Sequence, residues 1–277
     1  MGGLLLAVLA SVGWGTTGML AGRASRRLPP LHVAMALEWS GLAMIAVVLA
    51  VVHPPIRGGT DLALALCAGI AGALGNVLTY AALSVGAMGL VAPVAASGAA
   101  ITVIGFGVAG GDRPAPLAIA GMAAALAGGA TLARAPGRAT RSGLGLALLA
   151  ALSYGVYFAL LDLAADGGAL WATTTSRAMA AVFLTALILA LGQRIARGER
   201  RALMRALPIG ILDALATLAF ALASTRGMVS LVAVIACLYP LTTAGLAYVL
   251  LGERLGRWQA AGAALAVAGV AMIVATG

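Results

Sequence analysis

Long apolar runs, each about the length of a membrane-spanning helix, alternate with short polar breaks along the whole chain. A helix needs about 20 apolar residues to cross the hydrocarbon core of a bilayer. The pattern predicts an all-α integral membrane protein with ten spans: 3–22, 31–52, 62–83, 88–108, 115–134, 143–163, 170–191, 205–225, 228–250 and 257–276. The runs are continuously apolar and do not alternate, so a transmembrane β-barrel is excluded.

The composition supports a lipid environment. Hydrophobic residues make up 62% of the 277 residues and charged residues 9%, and the mean hydropathy is +1.08. Soluble domains carry about 25% charged residues. The net charge of +9 comes from 17 basic residues, nearly all in short loops, where membrane topology favours them, so nucleic-acid binding is not predicted. The first run has no basic residue before it, so it is interpreted as a retained span and not as a signal peptide.

Metal, cofactor and catalytic motifs are not recognisable in the sequence. Cys67, Cys237, His32 and His53 are too far apart in the chain to suggest a metal site. No Ser/His, Cys/His or paired-Asp arrangement suggests an enzyme, and no filter segment suggests a channel. We therefore expect no metal, no cofactor and no catalytic residue.

The two halves of the chain, 1–136 and 137–277, share a repeat at an offset of 141 residues. Gly89-Leu90-Val91-Ala92 matches Ser230-Leu231-Val232-Ala233, and Gly111-Asp112-Arg113 matches Gly252-Glu253-Arg254. Each half has five predicted spans, an odd number, so two joined copies must cross the membrane in opposite directions. This predicts an inverted repeat, the design of many alternating-access transporters.

With ten spans, the duplication and the tetrads Gly111-Asp112-Arg113-Pro114 and Gly252-Glu253-Arg254-Leu255, the chain resembles the EamA family of the drug/metabolite transporter superfamily. It looks most similar to the YddG-type amino-acid exporters. The resemblance implies a monomeric exporter in the bacterial inner membrane, with a cavity lined by spans one, three, four, six, eight and nine and with spans five and ten peripheral. Arg177 fits the family's habit of an Arg in the second span of each repeat, whereas span two has Glu38 in the matching region.

Three ionisable residues lie deep within predicted spans: Glu38, Arg177 and Asp213. Each costs at least ~2.5–3.5 kcal/mol to insert, so such residues normally face the bundle interior. Glu38 and Arg177 occupy near-equivalent places in the two halves; they either pair or flank the cavity, or each snorkels or binds backbone carbonyls. Asp213 could meet a substrate amine, carry a proton or serve helix packing.

Further polar and aromatic residues suggest a binding surface for a small-molecule substrate. Asn76 and Tyr80 are four apart and so share one helix face, and Thr217 matches Asn76 at the repeat offset. The candidate substrate-binding residues are Trp14, Thr17, Asn76, Thr79, Tyr80, Ser97, Tyr154, Tyr157, Asp213, Thr217 and Tyr239. Ordinary helix packing is the alternative explanation for them.

Pro93 falls within the fourth predicted span and Pro240 within the ninth. Pro93 and Pro240 each remove a helical hydrogen bond and predict a kink or a break. A multidrug exporter for lipophilic cations is the rival function, since Glu38 beside Trp39 could form an acidic aromatic box.

The distribution of Arg predicts the orientation. Loops after odd-numbered spans hold 13 Arg and loops after even-numbered spans hold 3, with Arg177 inside a span. Short Arg-rich loops stay cytoplasmic, which puts both termini outside; the family resemblance implies both inside for many relatives.

A reporter fused to the C-terminus decides between these orientations. We expect an enzyme that is active only outside the cytoplasm to give signal at this position, and one that is active only in the cytoplasm to be silent. Strong cytoplasmic signal would reverse the assignment.

Overall fold

The computed structural model describes residues 2–25, 28–55, 58–85, 88–132, 141–251 and 256–276, and these form a helical bundle. The helices are α1 Gly2–Ser25, α2 Pro30–Val52, α3 Gly59–Val85, α4 Met88–Ala109, α5 Pro116–Leu132, α6 Arg141–Ala165, α7 Ala169–Ala190, α8 Arg197–Ser224, α9 Val229–Ala236, α10 Tyr239–Leu251 and α11 Arg257–Val274. The prediction of an all-α fold is confirmed.

Eight apolar helical stretches in the described residues are long enough to cross a membrane by length and composition. Two shorter apolar helices cover 94–109 and 116–131. The multi-pass character is thus supported, and the count of ten spans stays a prediction.

The ninth predicted span, 228–250, corresponds to an apolar stretch long enough to cross a membrane, Val229–Leu250, and it is interrupted next to Pro240, where a kink or a break was predicted. It is divided into α9 and α10 by a turn at Cys237 and Leu238. Pro240, the second residue of α10, has no N–H to donate to the carbonyl of Ala236, so a helix that continued through the turn would lack this hydrogen bond. Helix α4, in contrast, is continuous through Pro93.

The helices of the first half pack mainly against helices of the second half, and most contacts have a counterpart. In the predicted repeat, α1, α2, α3 and α5 correspond to α6, α7, α8 and α11, and α4 corresponds to α9 with α10. The α3–α6 contact then has α1–α8 as its counterpart, α4–α6 has α1–α10, and α2–α8 has α3–α7. The remaining pairs α2–α7, α4–α9 and α5–α11 join corresponding helices directly. This interlocking leaves α5 and α11 chiefly against each other and encloses the interior between the other helices.

The Gly111-Asp112-Arg113-Pro114 turn connects the two halves. Gly111 has a φ of 115°, a conformation that L side chains rarely adopt, and it directs Asp112 towards the start of α9. The Asp112 carboxylate accepts a hydrogen bond from the Ser230 backbone N–H at 2.9 Å, where a helix N-terminus favours negative charge. The matching tetrad Gly252-Glu253-Arg254-Leu255 lies outside the described residues.

Small residues set the close approach of α5 and α11. A Cβ added at Gly121 would lie 2.7 Å from the Gly269 carbonyl oxygen and 3.0 Å from the Met272 Cβ. Lipid provides no hydrophobic force that drives helices together, so close backbone packing of this kind is a main source of their association.

We expect Gly121→Ala to lower the stability of the protein in detergent by about 1–3 kcal/mol, the usual cost of overpacking. The measurement is the midpoint of thermal unfolding. The matched control is Gly105→Ala, because a Cβ there meets nothing within 4 Å. Equal midpoints for the two variants would contradict the close approach of α5 and α11.

Candidate functional site

A cavity of about 220 Å³ lies in the middle of the bundle. Helices of both halves line it: α1, α2, α3 and α4 of the first, and α6, α7, α8 and the α9–α10 turn of the second. The resemblance implied neither span two nor span seven as lining, and these two spans contribute the charged residues Glu38 and Arg177. A charged side chain that faces lipid has a high cost in free energy, and both side chains face the interior of the bundle.

Arg177 is the centre of an ion cluster that ties three helices together. The guanidinium of this α7 residue is 4% exposed, and its Nη1 donates to Oε2 of Glu38 on α2 at 3.0 Å. Its Nη2 pairs with Oδ2 of Asp213 on α8 and donates to Oγ1 of Thr217 at 3.1 Å. The structure therefore contains the Glu38–Arg177 pair and adds Asp213 as a second counter-ion that the sequence analysis did not connect with Arg177.

Each of the two carboxylates uses only one oxygen for Arg177. The described residues provide no partner for Oε1 of Glu38 or Oδ1 of Asp213, and neither atom is among the buried polar atoms that lack a hydrogen bond. Both side chains line the cavity and are partly exposed there, 14% for Glu38 and 23% for Asp213. The free oxygens are thus open to the cavity.

Gly41 makes room for the guanidinium, a role that the sequence analysis missed. It lies three residues after Glu38 on α2, and a Cβ there would be 2.7 Å from Nη1 of Arg177. The spacing places Gly41 on the same face of α2 as Glu38. The feature of the sequence that could have indicated this role is a glycine three residues after an acidic residue within a predicted span.

Aromatic rings form another part of the wall. Trp14 packs on Phe158 and Phe220, with ring centroids 5.1 and 5.7 Å apart. Tyr154 donates its hydroxyl to Oδ1 of Asn76 at 2.9 Å, which links α6 to α3.

Glycines on α3 give the tyrosines space. A Cβ added at Gly72 would lie 3.1 Å from the ring of Tyr157, and one added at Gly75 would lie 2.8 Å from the ring of Tyr154. The two rings therefore lie directly against the α3 backbone.

The break between α9 and α10 also reaches the cavity. Cys237 in the turn and Tyr239 directly after it line the cavity. Thr243 of α10 donates to the Gly15 carbonyl of α1 at 2.9 Å, which holds the second half-helix against the first half of the chain. Irregular backbone within a membrane occurs where it lines a cavity or is buried in protein, and this turn does so.

Comparison with known proteins decides the family. The model of the EamA-like transporter family matches two stretches of the chain, residues 1–133 and 141–275. The chain belongs to the EamA-like transporter family. A crystal structure of a protein that is 20% identical aligns over 98% of each chain with a TM-score of 0.83, which establishes the shared fold alone. No curated protein matches the chain significantly.

Family membership makes this EamA-like protein a multi-pass membrane transporter of the drug/metabolite superfamily. Polar and charged side chains from both halves of the chain converge on the cavity described above. It is therefore the candidate site for the transported solute.

The structure brings together most of the residues that the sequence analysis selected. Besides Glu38 and Arg177, the cavity of this EamA-like transporter is lined by the candidates Trp14, Thr17, Asn76, Tyr154, Tyr157, Asp213, Thr217 and Tyr239. Thr79 and Ser97 do not line it; Ala95, Ala96 and Ala99 form the wall from α4 instead. The side chains of Tyr80 and Pro93 lie outside the described part of the structure.

Removal of the Arg177 charge is expected to destabilise the transporter by about 3–5 kcal/mol, because Arg177→Gln leaves two carboxylates without their counter-ion. Adding Glu38→Gln to Arg177→Gln should restore part of the loss, because one unpaired acid is removed. The measurement is the thermal unfolding midpoint in detergent.

Arg194→Gln is the matched control, since Arg194 is exposed after the end of α7. The ion cluster would be contradicted if the Arg177 and Arg194 variants unfolded at the same temperature.

Proposed function

We propose that this protein is a secondary transporter that exports amino acids or similar small metabolites by alternating access. The observation that carries the proposal is the cavity, which holds three charged side chains deep within otherwise apolar helices. Charges in such positions are costly to insert and mark solute pathways in membrane proteins.

Alternating access requires two units that rock around a fixed site, and we propose that 1–136 and 137–277 are these units, as inverted five-helix repeats. Two findings support the division. One family model matches twice, once in each half. Each main packing contact between the halves has a counterpart with the corresponding helices exchanged, as α3–α6 corresponds to α8–α1.

The dimensions and chemistry of the cavity favour a small polar solute. Sites for drug-sized ligands occupy roughly 300–1,000 Å³, and this cavity measures about 220 Å³. Open carboxylate oxygens on Glu38 and Asp213 suit an ammonium group. The Asn76 amide, whose oxygen accepts from Tyr154, has N–H donors left for a solute carboxylate.

The rival function, export of lipophilic cations, is not supported by the position of Trp39. Trp39 does not form an aromatic box with Glu38, because it is 44% exposed and donates its indole N–H to Thr185 on α7. The aromatic wall of Trp14, Tyr154 and Tyr157 remains compatible with a cation.

Flux into liposomes that contain the purified protein tests the proposal. We expect uptake of labelled amino acids in exchange for unlabelled ones, and a loss of at least about tenfold, equivalent to ~1.4 kcal/mol, in Ala96→Phe. Ala96 lines the cavity, so the added ring occupies the space of the solute.

Val47→Phe is the control, because Val47 is 63% exposed on α2 and does not line the cavity. Undiminished flux in a folded Ala96→Phe variant would show that the cavity is not the route. Flux of cationic dyes without flux of any amino acid would favour the rival function.

A further inference from the structure

We propose that the cavity selects small solutes of net positive charge, such as cationic amino acids, with Glu38 and Asp213 as their counter-ions. The inference rests on the proposed transport function and narrows its substrate class. It is carried by the balance of charge in the cavity wall and by the unequal exposure of the groups that produce it.

The charge balance of the wall is acidic. Among the described residues that line the cavity, Glu38, Asp213 and Arg177 are the members with a formal charge, two acids against one base. The cluster therefore carries one uncompensated negative charge when both acids are ionised. An unbalanced charge is poorly tolerated in a low-dielectric interior, and a solute with one net positive charge would balance it.

The two acids of the cluster are also more exposed than its arginine. The guanidinium of Arg177 is 4% exposed, and both of its terminal nitrogens already donate to protein oxygens. The acids are more exposed and each has a free oxygen. A solute ammonium can thus reach two anionic acceptors, whereas a solute carboxylate finds no accessible cation among the described lining residues.

The uncharged lining fits the same class of solute. Trp14 and Tyr157 present ring surface to the cavity, and aromatic faces attract ammonium and guanidinium groups. Asn76 on α3 offers neutral amide donors for a carboxylate, so a cationic amino acid could place its carboxylate there without a basic partner.

A series of solutes with one carbon skeleton and different charge tests the inference on the unaltered protein. Lysine, norleucine and 2-aminoadipate compete with a labelled amino acid for exchange in liposomes. We expect lysine to compete at concentrations at least about tenfold lower than norleucine, since an opposite charge within a few ångströms is a strong interaction in this setting, and 2-aminoadipate to compete least.

Two results separate this inference from the transport function on which it rests. If norleucine competes as well as lysine, charge selection is wrong while transport stands. If no amino acid exchanges at all and purified protein is folded, the proposed function itself fails.

The variant Asp213→Asn makes the cluster neutral and should reduce the preference for lysine over norleucine towards one, measured as the ratio of the concentrations at which the two solutes compete. Glu38→Gln makes the same change of charge from α2 and serves if the first variant does not fold. Asp166→Asn is the matched control, because Asp166 is exposed in the turn after α6. An unchanged preference in a folded cluster variant would overturn the role of the acids.

Discussion

A guanidinium in a membrane interior has lost its hydration, and the cost is tolerable only when anionic partners replace the lost water. Arg177 meets this requirement with Glu38 on α2 and Asp213 on α8, so one side chain on α7 determines how three helices approach each other. Gly41 follows from the same constraint, because a larger residue would occupy the space of the guanidinium. One acid would neutralise Arg177, and the second gives the cluster a surplus negative charge in the cavity wall when both acids are ionised.

Small residues make such a site possible in a chain with few polar groups. Helices in lipid associate through close packing, and Gly121 and Gly269 provide it where α5 meets α11, away from the cavity. Beside the cavity, Gly72 and Gly75 serve a different purpose, since they leave room for tyrosine rings, whereas Gly69 admits the backbone of α7 at Ser176. Glycine therefore allows close helix packing at the periphery of the bundle and makes space for polar side chains in its interior.

Much of this architecture could be predicted from the sequence, since the cost of inserting polar groups dictates both where helices end and which way charges face. The pairing of Glu38 with Arg177 was one of the alternatives that their near-equivalent positions in the two halves left open, and the structure contains this pair. Asp213 has no charged counterpart at the repeat offset, so nothing in the sequence connected it with Arg177. The exclusion of Thr79 and Ser97 from the wall depends on helix rotation, which an apolar run does not fix. The sequence predicted a kink or a break at both Pro93 and Pro240, and it did not show that only the helix at Pro240 would be interrupted.

The repeat gives the position of the cluster a mechanistic meaning. Helices α2 and α7 correspond to each other in the two proposed units and are in direct contact, so their contact must lie near the axis that relates the units. Glu38 and Arg177 meet at that contact, at near-equivalent places in the two helices. In the proposed alternating access, a group near the axis would keep its distance from both membrane surfaces when the units exchange conformations, whereas a group in one unit alone would move. Asp213 has Gly72 as its counterpart at the repeat offset, so this charge occurs in the second half only, although the helix contacts of the two halves correspond. In the proposed alternating access, a single acidic site at this position would serve both faces of the membrane in turn.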